Sequence, residues 1–167
     1  LELSRSSQFM MVRSGDDGKT WSKPENQTAK LKNPAWHLFA PGPGNGITMK
    51  DGTLVMPTGG RDEKGLPFSS LMWSKDHGKT WTLSSPARSN TNESAVAELS
   101  DGSLMLNMRD NRNRKDKSRT NGRAVSVTAD LGKTWKVHPS DHGSLPEPVC
   151  MASLISHRLK DGRAVLF

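Results

Sequence analysis

The sequence predicts an all-β chain of consecutive four-stranded antiparallel units, and three observations carry that reading. One turn is spelled three times, as "SGDDGKTW" from Ser14, "SKDHGKTW" from Ser74 and "TADLGKTW" from Thr128, with starts 60 and 54 residues apart. A second signal is interleaved with it, the pairs Asp51-Gly52, Asp101-Gly102 and Asp161-Gly162. Helical periodicity is nearly absent, while short apolar and alternating runs recur throughout.

The Asp-Gly pairs come first in each unit. They sit between strand-like runs, as in "GITMK-DG-TLVMP" and "AVAELS-DG-SLMLNM". Asp-Gly in that setting signals a hairpin through a type I′ turn, which needs positive φ at both central residues. A third β-rich run follows in the first two units, "SSLMWS" or "RAVSVT", then the repeated turn and a fourth strand. Four antiparallel strands per 50–60 residues is the signature of a propeller blade. The division expected is 1–35 for the end of one blade, 36–90 for a second, 91–145 for a third and 146–167 for the start of the next. By this phase the chain begins and ends inside a blade.

The repeated turn is an Asp box. Asp16, Asp76 and Asp130 are expected to accept hydrogen bonds from turn amides, and Gly18, Gly78 and Gly132 to take a left-handed conformation. Trp21, Trp81 and Trp135 then resume the strand as large buried elements. These residues staple strands together, so their role is read as structural.

The bulk numbers exclude more than they assign. Hydrophobic residues make up 32% and charged residues 25%, polar but outside disordered composition. Apolar runs are strand-sized, so no membrane insertion is expected, and "LELSRSSQFMMVRS" lacks the layout of a signal peptide. Cys150 is the single cysteine, which excludes an internal disulfide. The five histidines show no metal-ligand spacing, so no metal is expected. The net charge of +7 suits an anionic partner. Much of it lies in Arg109–Arg123, read as a solvated loop; without interleaved aromatics to stack bases, nucleic acid is not expected to bind there.

Blade topology puts the Asp-Gly turns and boxes at one end of the strands and the longer connections at the other, where a site belongs. Taking Asp101-Gly102 as a two-residue turn without a bulge, residues summing to 203 face each other, so Arg109 lies opposite Ser94 and Glu93 opposite Asp110. Glu93 and Arg109 thereby become neighbours at the open end. An ordinary cross-strand ion pair would look the same. Trp36 and His37 could line a pocket on that face or simply pack. Arg61, Asn92 and Arg112 lie near it, with Arg61 and Arg112 read mainly as solvated charge. Cys150 and Met151 read as core.

The segments "SGDDGKTW", "GITMKDGTLV", "WSKDHGKTW", "NESAVAELSDGSLMLNMRDNR" and "EPVCMASL" resemble the bacterial exo-α-sialidases, the Asp-box neuraminidases. The resemblance implies a six-bladed β-propeller, of which the chain holds about three consecutive blades. It implies release of terminal sialic acid from glycoconjugates with retention, without a cofactor, by a secreted, periplasmic or cell-surface parent. In that family a tyrosine attacks the anomeric carbon, a glutamate activates it, an aspartate is the general acid and three arginines grip the substrate carboxylate. Carried over by motif, Glu93 is the activating glutamate and Arg109 one arginine of the three. Gly59 stands where that family carries a glutamine, which alters contacts to the distal part of the sugar. The sequence contains no tyrosine, so the nucleophile lies outside it and the chain alone should be inactive. The alternative is a non-catalytic Asp-box propeller that binds glycans or proteins. Open blade edges would favour self-association.

Overall fold

The computed structural model describes residues 7–116, 122–147 and 149–167; residues 117–121 of the basic run lie outside them. The chain is all-β with antiparallel sheets. β1 (Met10–Met11) pairs with β2 (Glu25–Asn26), and a single helical turn, α1 (Thr28–Leu31), follows. A six-stranded sheet comes next, from β3 (Leu38–Pro41), β4 (Ile47–Thr48), β5 (Leu54–Arg61), β6 (Pro67–Ser74), β7 (Thr82–Leu83) and β8 (Arg88–Ser89). The third sheet is a four-stranded meander of β9 (Thr91–Glu98), β10 (Leu104–Asp110), β11 (Ala124–Thr128) and β12 (Lys136–Val137), and β13 (Ser156–Arg158) pairs with β14 (Ala164–Leu166) to end the chain. Among the described residues no helix is long and apolar enough to cross a membrane.

Two apolar clusters hold these layers together. Val55 and Leu71 of the six-stranded sheet pack with Val96, Leu104, Leu106 and Met108 of the four-stranded one. On the other side, Met72 and Phe39 pack with Phe9 and Leu31 of the N-terminal layer. The middle sheet is thus buried on both faces, which explains why β5 and β6 do not alternate cleanly between apolar and polar.

Two of the three tryptophans of the repeated turn lean on the sheet before their own. Trp135 joins the first cluster, where its Nε1 donates to Ser85 O at 3.1 Å, and Trp81 joins the second. Trp21 departs from the expected burial: it is 61% exposed, because no preceding sheet lies against it among the described residues. The turn itself is docked the same way. Ser85 Oγ donates to Gly132 O at 2.6 Å and Arg13 Nη2 to Gly78 O at 2.7 Å. A Cβ on Gly132 would lie 2.4 Å from that of Ser84, so only glycine permits this approach.

The hydrogen bonding inside the boxes repeats from copy to copy. Thr20 N and Oγ1 donate to Asp16 at 2.9 and 2.6 Å, and Ser14 Oγ donates to it at 2.8 Å while accepting from Gly18 N. Asp76 and Asp130 are held alike. These donors lower all three carboxyls. Asp16, held first by the Thr20 hydroxyl, and Asp130, held first by the Thr134 amide, lie at about 2.

The two kinds of turn exchange the geometry expected of them. In the Asp-Gly hairpins only the glycine has positive φ (Gly52 86°, Gly102 84°, Gly162 88°), whereas the boxes carry two such residues in succession, Asp17-Gly18, His77-Gly78 and Leu131-Gly132. The hairpins are therefore not type I′. Leu99 N donates to Ser103 O and Gly102 N to Leu99 O, a three-residue loop closed by a left-handed glycine. That adds one residue to the loop and moves the register: Leu104 faces Glu98 and Met108 faces Ser94, a sum of 202 rather than 203.

Candidate functional site

The register correction decides what Arg109 meets. From Met108↔Ser94 the pairing jumps to Asp110↔Thr91, so Asn92 and Glu93 together oppose Arg109 in a β-bulge on β9. Ser94 is therefore not opposite Arg109, nor Glu93 opposite Asp110. A bulge leaves an amide outside the ladder, and here the Asn92 side chain takes it: Glu93 N donates to Asn92 Oδ1 at 2.8 Å. Ser69 Oγ in turn donates to Asn92 O at 2.7 Å, tying the bulge to the middle sheet.

The bulge aims Glu93 at Arg109. Arg109 Nη1 donates to Glu93 Oε2 at 2.7 Å, with the arginine side chain 16% and the glutamate 33% exposed. Two-thirds buried, the carboxylate still reaches solvent. Arg109 Nε is buried without a partner, and the rest of the fork makes no hydrogen bond to a described residue. The pair lies at the end of its sheet opposite the box, since Leu104 pairs with both Glu98 and Thr128 at the other end of the ladder.

Beside Glu93 is a cavity of about 160 Å³ lined by Asn92, Glu93, Gly59, Gly60, Arg61 and Pro67 and by Leu38, Ala40, Pro41, Gly42 and Pro43; Arg109 does not line it. Gly59 and Gly60 let the strands close up behind it: a Cβ on Gly60 would sit 2.5 Å from Leu38 O, and one on Gly59 2.9 Å from Phe68 O. Arg61 folds back on its own turn, donating to Gly65 O at 3.2 Å. Trp36 and His37 do not line the cavity. Trp36 packs edge-on against Phe68 at 4.7 Å, and exposed His37 lies within hydrogen-bond distance of Glu63 O at 3.2 Å.

Several polar groups at this end have no counterpart in the sequence reading. Arg123, counted with the solvated basic run, is 2% exposed. Its Nε donates to Asn107 Oδ1 at 2.6 Å, and its Nη1 to Glu147 and to Cys150 O. The only sequence signal was its place immediately ahead of β11 rather than within the loop. Asp110 is fully buried and accepts the Arg112 fork at 2.6–3.0 Å, with His142 Nε2 3.1 Å away. Burial pushes the Asp110 carboxyl up, but the Arg112 hydrogen bonds and charge, with His142, outweigh it and leave it lowered. Arg112 is thus a paired residue, not a purely solvated one. Cys150, expected in the core, is exposed, and Met151 is half-buried. Among the described residues no group of three or more His, Cys, Asp or Glu could hold a metal ion.

Residues 3–167 match the BNR repeat-like domain family. Over 161 residues the chain is 50% identical to a sialidase of Bacteroides fragilis (strain YCH46), covering 96% of this chain and 28% of that one. Among solved structures, Hadza microbial sialidase Hz136 superposes with a TM-score of 0.86 at 49% identity, over 94% of this chain and 30% of that one. Trypanosoma rangeli sialidase in complex with the inhibitor DANA gives 0.71 at 26% identity, over 94% and 27%. The chain spans between about a quarter and a third of the length of these relatives. It belongs to the BNR repeat-like domain family, and over this span it is similar to sialidases.

Proposed function

We propose that the full-length protein containing this chain is an exo-α-sialidase that releases terminal sialic acid from glycoconjugates with retention. In this reading the sheets are consecutive blades of a six-bladed propeller, divided at 1–35, 36–90, 91–145 and 146–167. The observation that carries it is the Glu93–Arg109 pair, held by a bulge whose Asn92 and Glu93 line a cavity, at the end of the sheet away from the boxes. Similarity to sialidases along nearly the whole chain supports it.

The residue types suit the chemistry. Arg109 spends one N–H on Glu93 and keeps other donors for a sugar carboxylate, which a guanidinium grips in a fork while staying charged. Glu93 acts as the base for a phenol nucleophile. A tyrosine near its ordinary pKa of ~10 is a weak nucleophile without one, and a phenol avoids the repulsion between a carboxylate nucleophile and an anionic sugar. The chain holds no tyrosine, so the nucleophile comes from outside these 167 residues and the isolated chain turns nothing over.

The test is Glu93→Gln in the full-length protein, assayed on a fluorogenic sialoside. Turnover should fall by about 10²–10⁴-fold, the usual worth of a positioned base, with an unchanged melting temperature. Near-normal turnover would overturn the assignment. The anomer first released, read by NMR, tests retention.

A further inference from the structure

A second ion pair, Arg123 with Glu147, touches no part of that cavity; with Asn107 and Cys150 it lines another, of about 450 Å³. Arg123 is 2% and Glu147 4% exposed, burial that two charges rarely adopt without a structural reason. The Arg123 fork is fully directed: Nε to Asn107 Oδ1 at 2.6 Å, Nη2 to Asn107 O at 3.4 Å, Nη1 to Glu147 and to Cys150 O. Asn107 stands two residues before Arg109 on β10, on the same face of the strand. On the far side of Arg109, Asp110 is gripped by Arg112. Arg109 itself sits opposite the bulge, where the regular ladder does not fix it.

We infer that Arg123, with Glu147 as its counter-charge, is a positioning residue for Arg109: held by Glu147, it anchors Asn107 and so sets where the Arg109 fork stands. The inference rests on the sialidase reading above. The two guanidinium groups feel each other. Burial lowers the Arg123 pKa most, Glu147 and Glu93 act against it, and the Arg109 charge lowers it further. Glu147 keeps the buried cation from bearing that repulsion alone.

The experiment uses the full-length protein, a fluorogenic sialoside and DANA, with kcat and KM separated and thermal melts run on every variant. Arg123→Lys keeps the charge and loses the fork; Asn107→Ala keeps the ion pair and cuts its link to β10. Both should raise KM about 10- to 100-fold, the cost of a misplaced binding group, and weaken DANA in parallel, with kcat changed less. Arg123→Met combined with Glu147→Met removes both charges, an exchange that buried pairs often tolerate in stability. It should melt near the wild type yet keep the raised KM. A KM within about twofold of wild type in the folded variants, or one restored in the double variant, means the pair only holds the fold together and overturns the inference. Absence of hydrolysis by the wild type would overturn the sialidase reading, and this inference with it.

Discussion

At the box end of the four-stranded sheet, Asp130 meets its side-chain partners between Thr128 and Thr134. At the other end Arg109 reaches back sixteen residues to Glu93, Arg123 forward twenty-four to Glu147, and Arg88 fifty-three to Asp141. The local carboxylates are saturated with short hydrogen bonds, which closes the turn and leaves nothing over for a ligand. The long-range groups leave polar atoms unspent: Arg109 Nε and Glu147 Oε1 are buried without partners. Unsatisfied buried groups are rare in folded proteins and call for a reason. For Arg109 Nε the proposed site would supply one, because a donor held for a substrate cannot also be consumed by the fold. On the proposed reading, one end of the sheet serves closure and the other binding.

The sharpest way to break this comparison is Arg109→Ala. In the full-length protein it should lower kcat/KM on a sialoside by about 10²–10³-fold, mainly through KM, because it removes the fork proposed to hold the sugar carboxylate. The melting temperature should change less than the activity, since the Glu93 carboxylate left behind still reaches solvent. If activity survives while the protein melts early, Arg109 belongs to closure and the contrast between the ends fails.

A smaller effect of opposite character is expected one residue on. Asp110→Ala strips a fully buried carboxylate from Arg112 and His142. Arg112 is itself half exposed, so the cost is mainly that of the lost charged hydrogen bonds, about 1.5–3 kcal/mol, read by denaturant titration. A loss below about 1 kcal/mol would mean that Arg112 is worth no more than an exposed charge.

The same contrast explains what could be read from the residues alone. The boxes were legible because their chemistry is contiguous: Ser14, Asp16, Gly18 and Thr20 name their own partners within seven positions. The Glu93–Arg109 neighbourhood was legible because a hairpin is the simplest long-range fold. Its register was not, since Asp101-Gly102 suits both a two-residue and a three-residue loop, and φ at Asp101 decides between them. The bulge at Asn92–Glu93 left no signal either; an Asn before a Glu becomes a bulge only when Ser69 and Arg109 stand across from it. Arg123 was lost in the basic run because burial depends on Glu147, a partner outside any local pattern.

The mildest test probes the box end with acid. Asp16 is lowered to about 2 from an ordinary carboxylate value of 3.8, first by the Thr20 hydroxyl, and Asp130 to about 2 by Thr134 and Thr128. A carboxyl lowered in the folded state binds protons more readily when unfolded, so its stabilisation is full above about pH 4 and drains away as pH falls toward 2. Thr20→Val deletes the donor that contributes most to Asp16. It should therefore lower the denaturant midpoint at pH 7, and the gap to wild type should narrow as the buffer is taken from pH 4 to pH 2. These carboxylates are open to solvent, so the narrowing will be modest. A gap that stays constant across that window would mean the threonine matters only for packing, and that the box turn is not held shut by an ionised aspartate.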